Sequence, residues 1–149
     1  MRRKVEVDLL RKIAGIRQLQ LAAAEAAMVR ANLALSEKNE VLRAKETERE
    51  AIEQNWKDAL SAPFLPLEIM PLWAEAVVRR DGMVRHAANV ADNAALVRDL
   101  CVAEWRIAEQ RGNVADDMAL RARNEHLRKL EEDALLDSAD RHLQHWRKV

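Results

Sequence analysis

The sequence predicts an all-α fold: one long antiparallel two-helix coiled-coil hairpin with a proline-rich turn. Three observations carry that expectation. All three prolines, Pro63, Pro66 and Pro71, fall in one short stretch, APFLPLEIMP. The flanking segments, 1–62 and 72–149, contain none and are rich in Ala, Leu, Glu, Arg and Lys, which are good helix formers. The composition also lacks the large side chains of a thick core: there is one Phe and no Tyr, while 34% of residues are charged. Proline in a helix interior costs about 3 kcal/mol, because it removes an amide donor and clashes with the preceding turn. One proline cluster between two proline-free runs therefore marks a single break in a single domain with a thin apolar stripe.

Helix 1 is expected over about 5–60. Apolar residues at helical spacing include Val5, Leu9, Ile13, Ile16, Ala24, Ala27, Ala31, Leu35, Leu42, Ile52, Trp56 and Leu60. Gln20, Lys38, Lys45 and Arg49 interrupt the stripe as polar seam positions. Asp8–Lys12 and Glu53–Lys57 have the acid-before-base spacing that supports a helix by a few tenths of a kcal/mol each. Gly15 is a local weak point, costing about 1 kcal/mol relative to Ala.

The turn spans 61–71. Ala62, Leu65 and Met70 each precede a proline, which biases them away from the helical region. Pro66 is placed to start one short helical turn, and Pro71 to open helix 2 at its first position, where a missing donor costs nothing.

Helix 2 is expected over about 72–146. Its large apolar residues do not keep one register. Val77, Val84 and Ala91 give way to Leu100, Ile107 and Val114, then to Leu120, Leu127 and Ala134, each change shifting the heptad phase. A fold about residue 66 sets residues opposite each other when their numbers add to about 133 at equal rise per residue. That count places Glu46, Glu48, Glu50 and Glu53 near Arg79, Arg80 and Arg85. It places Arg2, Arg3 and Lys4 near Glu131, Glu132 and Asp133. Roughly the last 15 residues then project beyond the start of helix 1, carrying Leu135, Leu136, Leu143 and Trp146.

Several function classes lose support. Formal net charge is zero, which argues against a dedicated nucleic-acid binder. The single Cys101 forms no intrachain disulfide, and a reducing, cytoplasmic compartment is the default. No secretory signal is visible after MRRK, because Glu6, Asp8, Arg11 and Lys12 stand where an apolar core belongs. The longest alanine-rich stretch is too short to span a membrane. His142 and His145, with Asp137 and Asp140 nearby, read as a solvated charged face, since a metal site needs three or four converging ligands. No catalytic, cofactor-binding or metal-binding residue is assigned, and the chain is not expected to be an enzyme.

Two ends carry the candidate partner sites. At the terminal end these are Val5, Leu9, Ile13, Leu127, Leu130, Leu135 and Trp146, beside the basic Arg2, Arg3, Lys4, Arg147 and Lys148. At the hairpin tip they are Phe64, Leu65, Ile69, Met70, Leu72 and Trp73, read as a cap over the tip or as a docking knob. Trp56 and Trp73 flank the turn and are expected to cover it, and Trp105 falls opposite the region of Met28.

The chain resembles the FliJ family of flagellar export proteins and its YscO-type counterparts in type III secretion. The residues that carry this are the opening VDLLRKIAGIRQLQLAAAEAAM, the interrupted middle PLEIMPLWAEAVV, and the closing RARNEHLRKLEEDALLDSADRH with Leu136, Asp137 and Ala139. The triple-proline turn departs from the family pattern. The resemblance implies a non-enzymatic stalk, monomeric by itself and cytoplasmic, at the inner-membrane secretion apparatus. Its terminal end would insert into a hexameric export ATPase, and its remainder would meet an export gate protein and export chaperones. A generic coiled-coil dimerisation scaffold is the alternative. A membrane-surface helix using the basic N-terminus is a further one.

Overall fold

A computed structural model describes residues 1–64 and 67–148. Within them are two helices, α1 (Arg2–Ser61) and α2 (Met70–Arg147), packed as an all-α helical hairpin. The helices begin earlier than expected. Met70 is helical, and the Trp73 amide donates to the Ile69 carbonyl at 3.1 Å. Pro71 therefore occupies the second helical position rather than the first, still among the amides that lack an intrahelical acceptor. The far end of α1 closes with the Ala62 amide donating to the Ala59 carbonyl and the Ser61 hydroxyl donating to the Lys57 carbonyl. Leu65 and Pro66, and with them the expected fold point, lie outside the described residues.

The hairpin divides into two compact units. Unit 1 pairs Met1–Glu25 with Glu104–Val149, and unit 2 is Ala26–Ala103. In unit 1 the covered positions of α1 are Val7, Leu10, Ala14, Arg17, Leu21 and Ala24. Those of α2 are Trp105, Ala108, Gly112, Ala115, Ala119, Ala122, His126 and Lys129. Both lists step by three and four. In unit 2 the same steps pick out Met28, Ala31, Leu35, Leu42, Lys45, Arg49, Ile52, Trp56 and Ala59 on α1. On α2 they pick out Trp73, Val77, Arg80, Val84, Ala87, Ala91, Ala94, Arg98 and Cys101.

This corrects the expected stripe. The covered positions of α2 keep one heptad phase, from Val77 through Val84, Ala91, Arg98, Trp105, Gly112 and Ala119 to His126. The phase changes do not occur. Leu100, Ile107, Val114, Leu120 and Leu127, which suggested them, are all exposed. On α1, Ala24 to Trp56 hold as expected, but Val5, Leu9, Ile13, Ile16 and Leu60 are exposed. Gln20 and Lys38 also face solvent, whereas Lys45 and Arg49 are half-buried in the seam. The physical reason is helix phase: each helix turns one face inward, and the exposed large residues stand on another. The buried apolar residues are Ala14, Ala31, Val84, Ala87, Ala91 and Ala115, with larger ones such as Leu10, Leu35, Ile52 and Trp105 half-buried on the same faces. A Cβ added to Gly112 would lie 3.5 Å from Gln18 Nε2 and 3.9 Å from Leu21 Cδ2, the ordinary contact distance an alanine would make. A Leu or Ile at Gly112 would have to displace those two side chains.

Register also differs. Trp56 meets Trp73 and Glu48 meets Arg80, four to five positions short of the expected pairing. In unit 1, Arg3 shares a groove with Glu125 and His126 rather than with Glu131, Glu132 and Asp133. Every described residue from Leu130 to Lys148 is consequently exposed, a longer uncovered segment than expected.

Candidate interaction surfaces

The tip of unit 2 is built on an aromatic pair. Trp56 and Trp73 rings lie 6.1 Å apart at 39°, a tilted contact that half-buries both. This is the cover expected of them. Met70 is also half-buried, so Met70 and Trp73 serve packing. Phe64, Leu67, Ile69 and Leu72 stay exposed, Phe64 at 92%, and do not fold over the tip. Leu65 lies outside the described residues.

Behind the tip stands a charged layer. Glu48 accepts from Arg80 across the hairpin and lies 3.5 Å from Lys45. Asp81 lies 3.5 Å from Arg49 across the hairpin and 3.0 Å from Arg85 along its own helix. Arg79 turns to Glu75 at 2.9 Å, and Glu53 sits 3.9 Å from Arg49 rather than on Lys57. The acid–base complementarity expected here thus reduces to Glu48–Arg80, with Asp81 as the partner that charge counting missed. Arg49 Nε is buried without a hydrogen-bond acceptor. Beside this layer runs an open groove of about 580 Å³, whose lining includes Lys38, Val41, Lys45, Met83, His86 and Val90. The lining combines apolar Val41, Met83, Ala87 and Val90 with basic Lys38, Lys45 and Arg79.

In unit 1 every residue expected at the terminal end is exposed: Val5, Leu9, Ile13, Leu127, Leu130, Leu135 and Trp146, the last at 76%. Of these, Ile13 lines a groove of about 420 Å³ that joins both helices, with Leu10, Arg17, Val114 and Met118. Val114 and Met118 were not among the expected partner residues. The signal that finds them is their spacing next to the seam, visible only once the seam is known. Gln18 donates to Asp116 at 2.6 Å across the hairpin.

Among the described residues, no group of three or more His, Cys, Asp or Glu is placed to hold a metal ion. Cys101 is a free thiol, half-buried in the seam, and Trp105 is half-buried there too. No described helix is long and apolar enough to cross a membrane. Unit 1 and unit 2 each present an open groove lined by apolar and charged residues, and unit 1 presents an uncovered helical segment. No protein-family model, curated protein or solved structure matches this chain.

Proposed function

We propose that this chain is a non-enzymatic stalk or adaptor of a type III protein export apparatus, flagellar or virulence-associated. Its terminal end enters a hexameric export ATPase, and the chain couples that ring to an export gate protein, with export chaperones as further partners. Work at the cytoplasmic side of an inner membrane goes with that role. The observation that carries the reading is the uncovered segment Leu130–Lys148. It presents Leu130, Leu135, Leu136, Leu143 and Trp146 to solvent within unit 1. A helix with large apolar side chains and no covering partner is suited to being covered by another protein. The same segment is acidic in its first part, with Glu131, Glu132, Asp133, Asp137 and Asp140, and basic in its last, with Arg141, Arg147 and Lys148.

The test is a pull-down and ATP-hydrolysis assay with the export ATPase from the same source. The reading requires binding, and a rise in hydrolysis or hexamer formation. It also requires that Leu135→Ala/Trp146→Ala weaken both. Absence of binding by the unaltered chain ends it. The scaffold alternative is favoured by a separate observation, the exposed apolar stripe in the middle of α2.

A further inference from the structure

We propose that two copies of this chain pair antiparallel through a stripe on α2 centred on Ile107. The stripe itself shares no residue with the terminal-end or tip sites, and only Ile13, in the groove beside it, belongs to the terminal-end set. The pairing replaces the single chain expected from the sequence with a dimer.

The argument starts from the seam. In unit 1, α2 turns Trp105, Ala108, Gly112, Ala115 and Ala119 toward α1. A second set, Glu104, Ile107, Arg111, Val114 and Met118, also steps by three and four and runs exposed along one side of that seam. Ile107 is 48% exposed, Val114 58% and Met118 51%. A helix that serves only a two-stranded coil is apolar at two heptad positions. One that is apolar on an adjacent stripe as well has the pattern of a helix in a larger bundle.

The order of residues in this stripe identifies the occupant. Read forward it is acid, apolar, base; read backward it is base, apolar, acid. An antiparallel copy centred on Ile107 therefore sets Glu104 beside the other copy's Arg111, twice, with Ile107 against itself. That is the self-complementary pattern a two-fold interface requires. Within the chain, Glu104 and Arg111 take part in none of the ion pairs among the described residues. Unit 1 also has its groove beside Val114 and Met118, walled by Leu10 and Ile13, where an incoming side chain can be received.

Cross-linking and hydrodynamics test this together. In a Cys101→Ala background, Ile107→Cys is expected to form an interchain disulfide on mild oxidation, while Val114→Cys is not. Sedimentation should show a dimer that Glu104→Arg or Arg111→Glu each weakens at least tenfold, and that the double exchange restores. Positions 104, 107, 111 and 114 are exposed and Cys101 is half-buried, and circular dichroism verifies that helicity is kept. A monomer at concentrations up to about 100 µM, which populates even weak pairs, overturns the proposal. So does self-linking of Val114→Cys without Ile107→Cys, or a double exchange that fails to restore pairing.

Discussion

Replacing Arg49 by leucine should stabilise the hairpin. Arg49 occupies a seam position of unit 2 with its side chain 30% exposed, and its Nε is buried without an acceptor. An unsatisfied buried donor costs about 1–3 kcal/mol. Against that stand two long ion contacts, 3.5 Å to Asp81 and 3.9 Å to Glu53, whose partners are 39% and 46% exposed. Pairs so open to solvent contribute about 0–1 kcal/mol. Asp81 keeps Arg85 at 3.0 Å when Arg49 is removed, so no orphaned charge results. A leucine there also buries apolar surface worth about 1–2 kcal/mol. The net expectation for Arg49→Leu is a gain of about 1–3 kcal/mol. For a chain of this length that raises Tm by about 3–10 °C. Thermal and urea unfolding followed by circular dichroism measure it, with Arg49→Lys as the control that keeps charge but loses the planar fork. If Arg49→Leu instead lowers stability by more than about 0.5 kcal/mol, the ion contacts outweigh the orphaned Nε and the reasoning fails. The layer carries a second consequence. A polar seam position fixes helix register at some expense of stability, so Arg49→Leu is expected to loosen the Trp56–Trp73 pairing, visible as a change in tryptophan fluorescence.

Three further outcomes are expected. Trp56→Ala and Trp73→Ala should each cost about 1.5–3 kcal/mol, less than the 3–5 typical of a fully buried ring because both are half-buried. A double-mutant cycle between them should give a coupling of about 0.5–1.5 kcal/mol by chemical denaturation; additive losses would mean the ring contact contributes nothing. Gly15→Ala and Gly82→Ala should each stabilise by about 1 kcal/mol, since a Cβ meets nothing within 4 Å at either site. Their sum should appear in the double variant, because the two lie in different units, and a loss at either would show that its open space is occupied in solution. Trp146→Ala should leave unfolding within about 0.5 kcal/mol of the unaltered chain while reducing capture by the export ATPase at least tenfold. A drop in Tm would show that the ring packs on this chain rather than on a partner.

The candidate sites were legible in uneven degree. Trp56 and Trp73 were readable because aromatics flanking a proline break have little else to pack on. Leu135 and Trp146 were readable as uncovered because the two helical runs differ in length, whereas Val5, Leu9, Ile13 and Leu127 were expected in the stripe and are exposed instead. The stripe through Ile107 was not. Its large side chains resemble a core, and spacing cannot tell a stripe that faces the hairpin partner from one that faces outward. Glu104 and Arg111 look like ordinary surface charges until the seam beside them is fixed.

The sequence by itself determined two long helices and one break, because proline cannot sit in a helix interior and nothing else in the chain interrupts helical propensity. It also determined that the apolar surface exceeds what a two-helix contact can use. Tertiary structure decided which apolar surface is inside. Helix phase admits Leu10, Ala14, Leu35, Val84, Ala91 and Trp105 and leaves Leu9, Leu100 and Val114 outside, because each helix can turn only one face to the other while apolar residues stand on more than one. Hydrophobicity names the candidates for burial, whereas the rotation of each helix about its own axis selects among them.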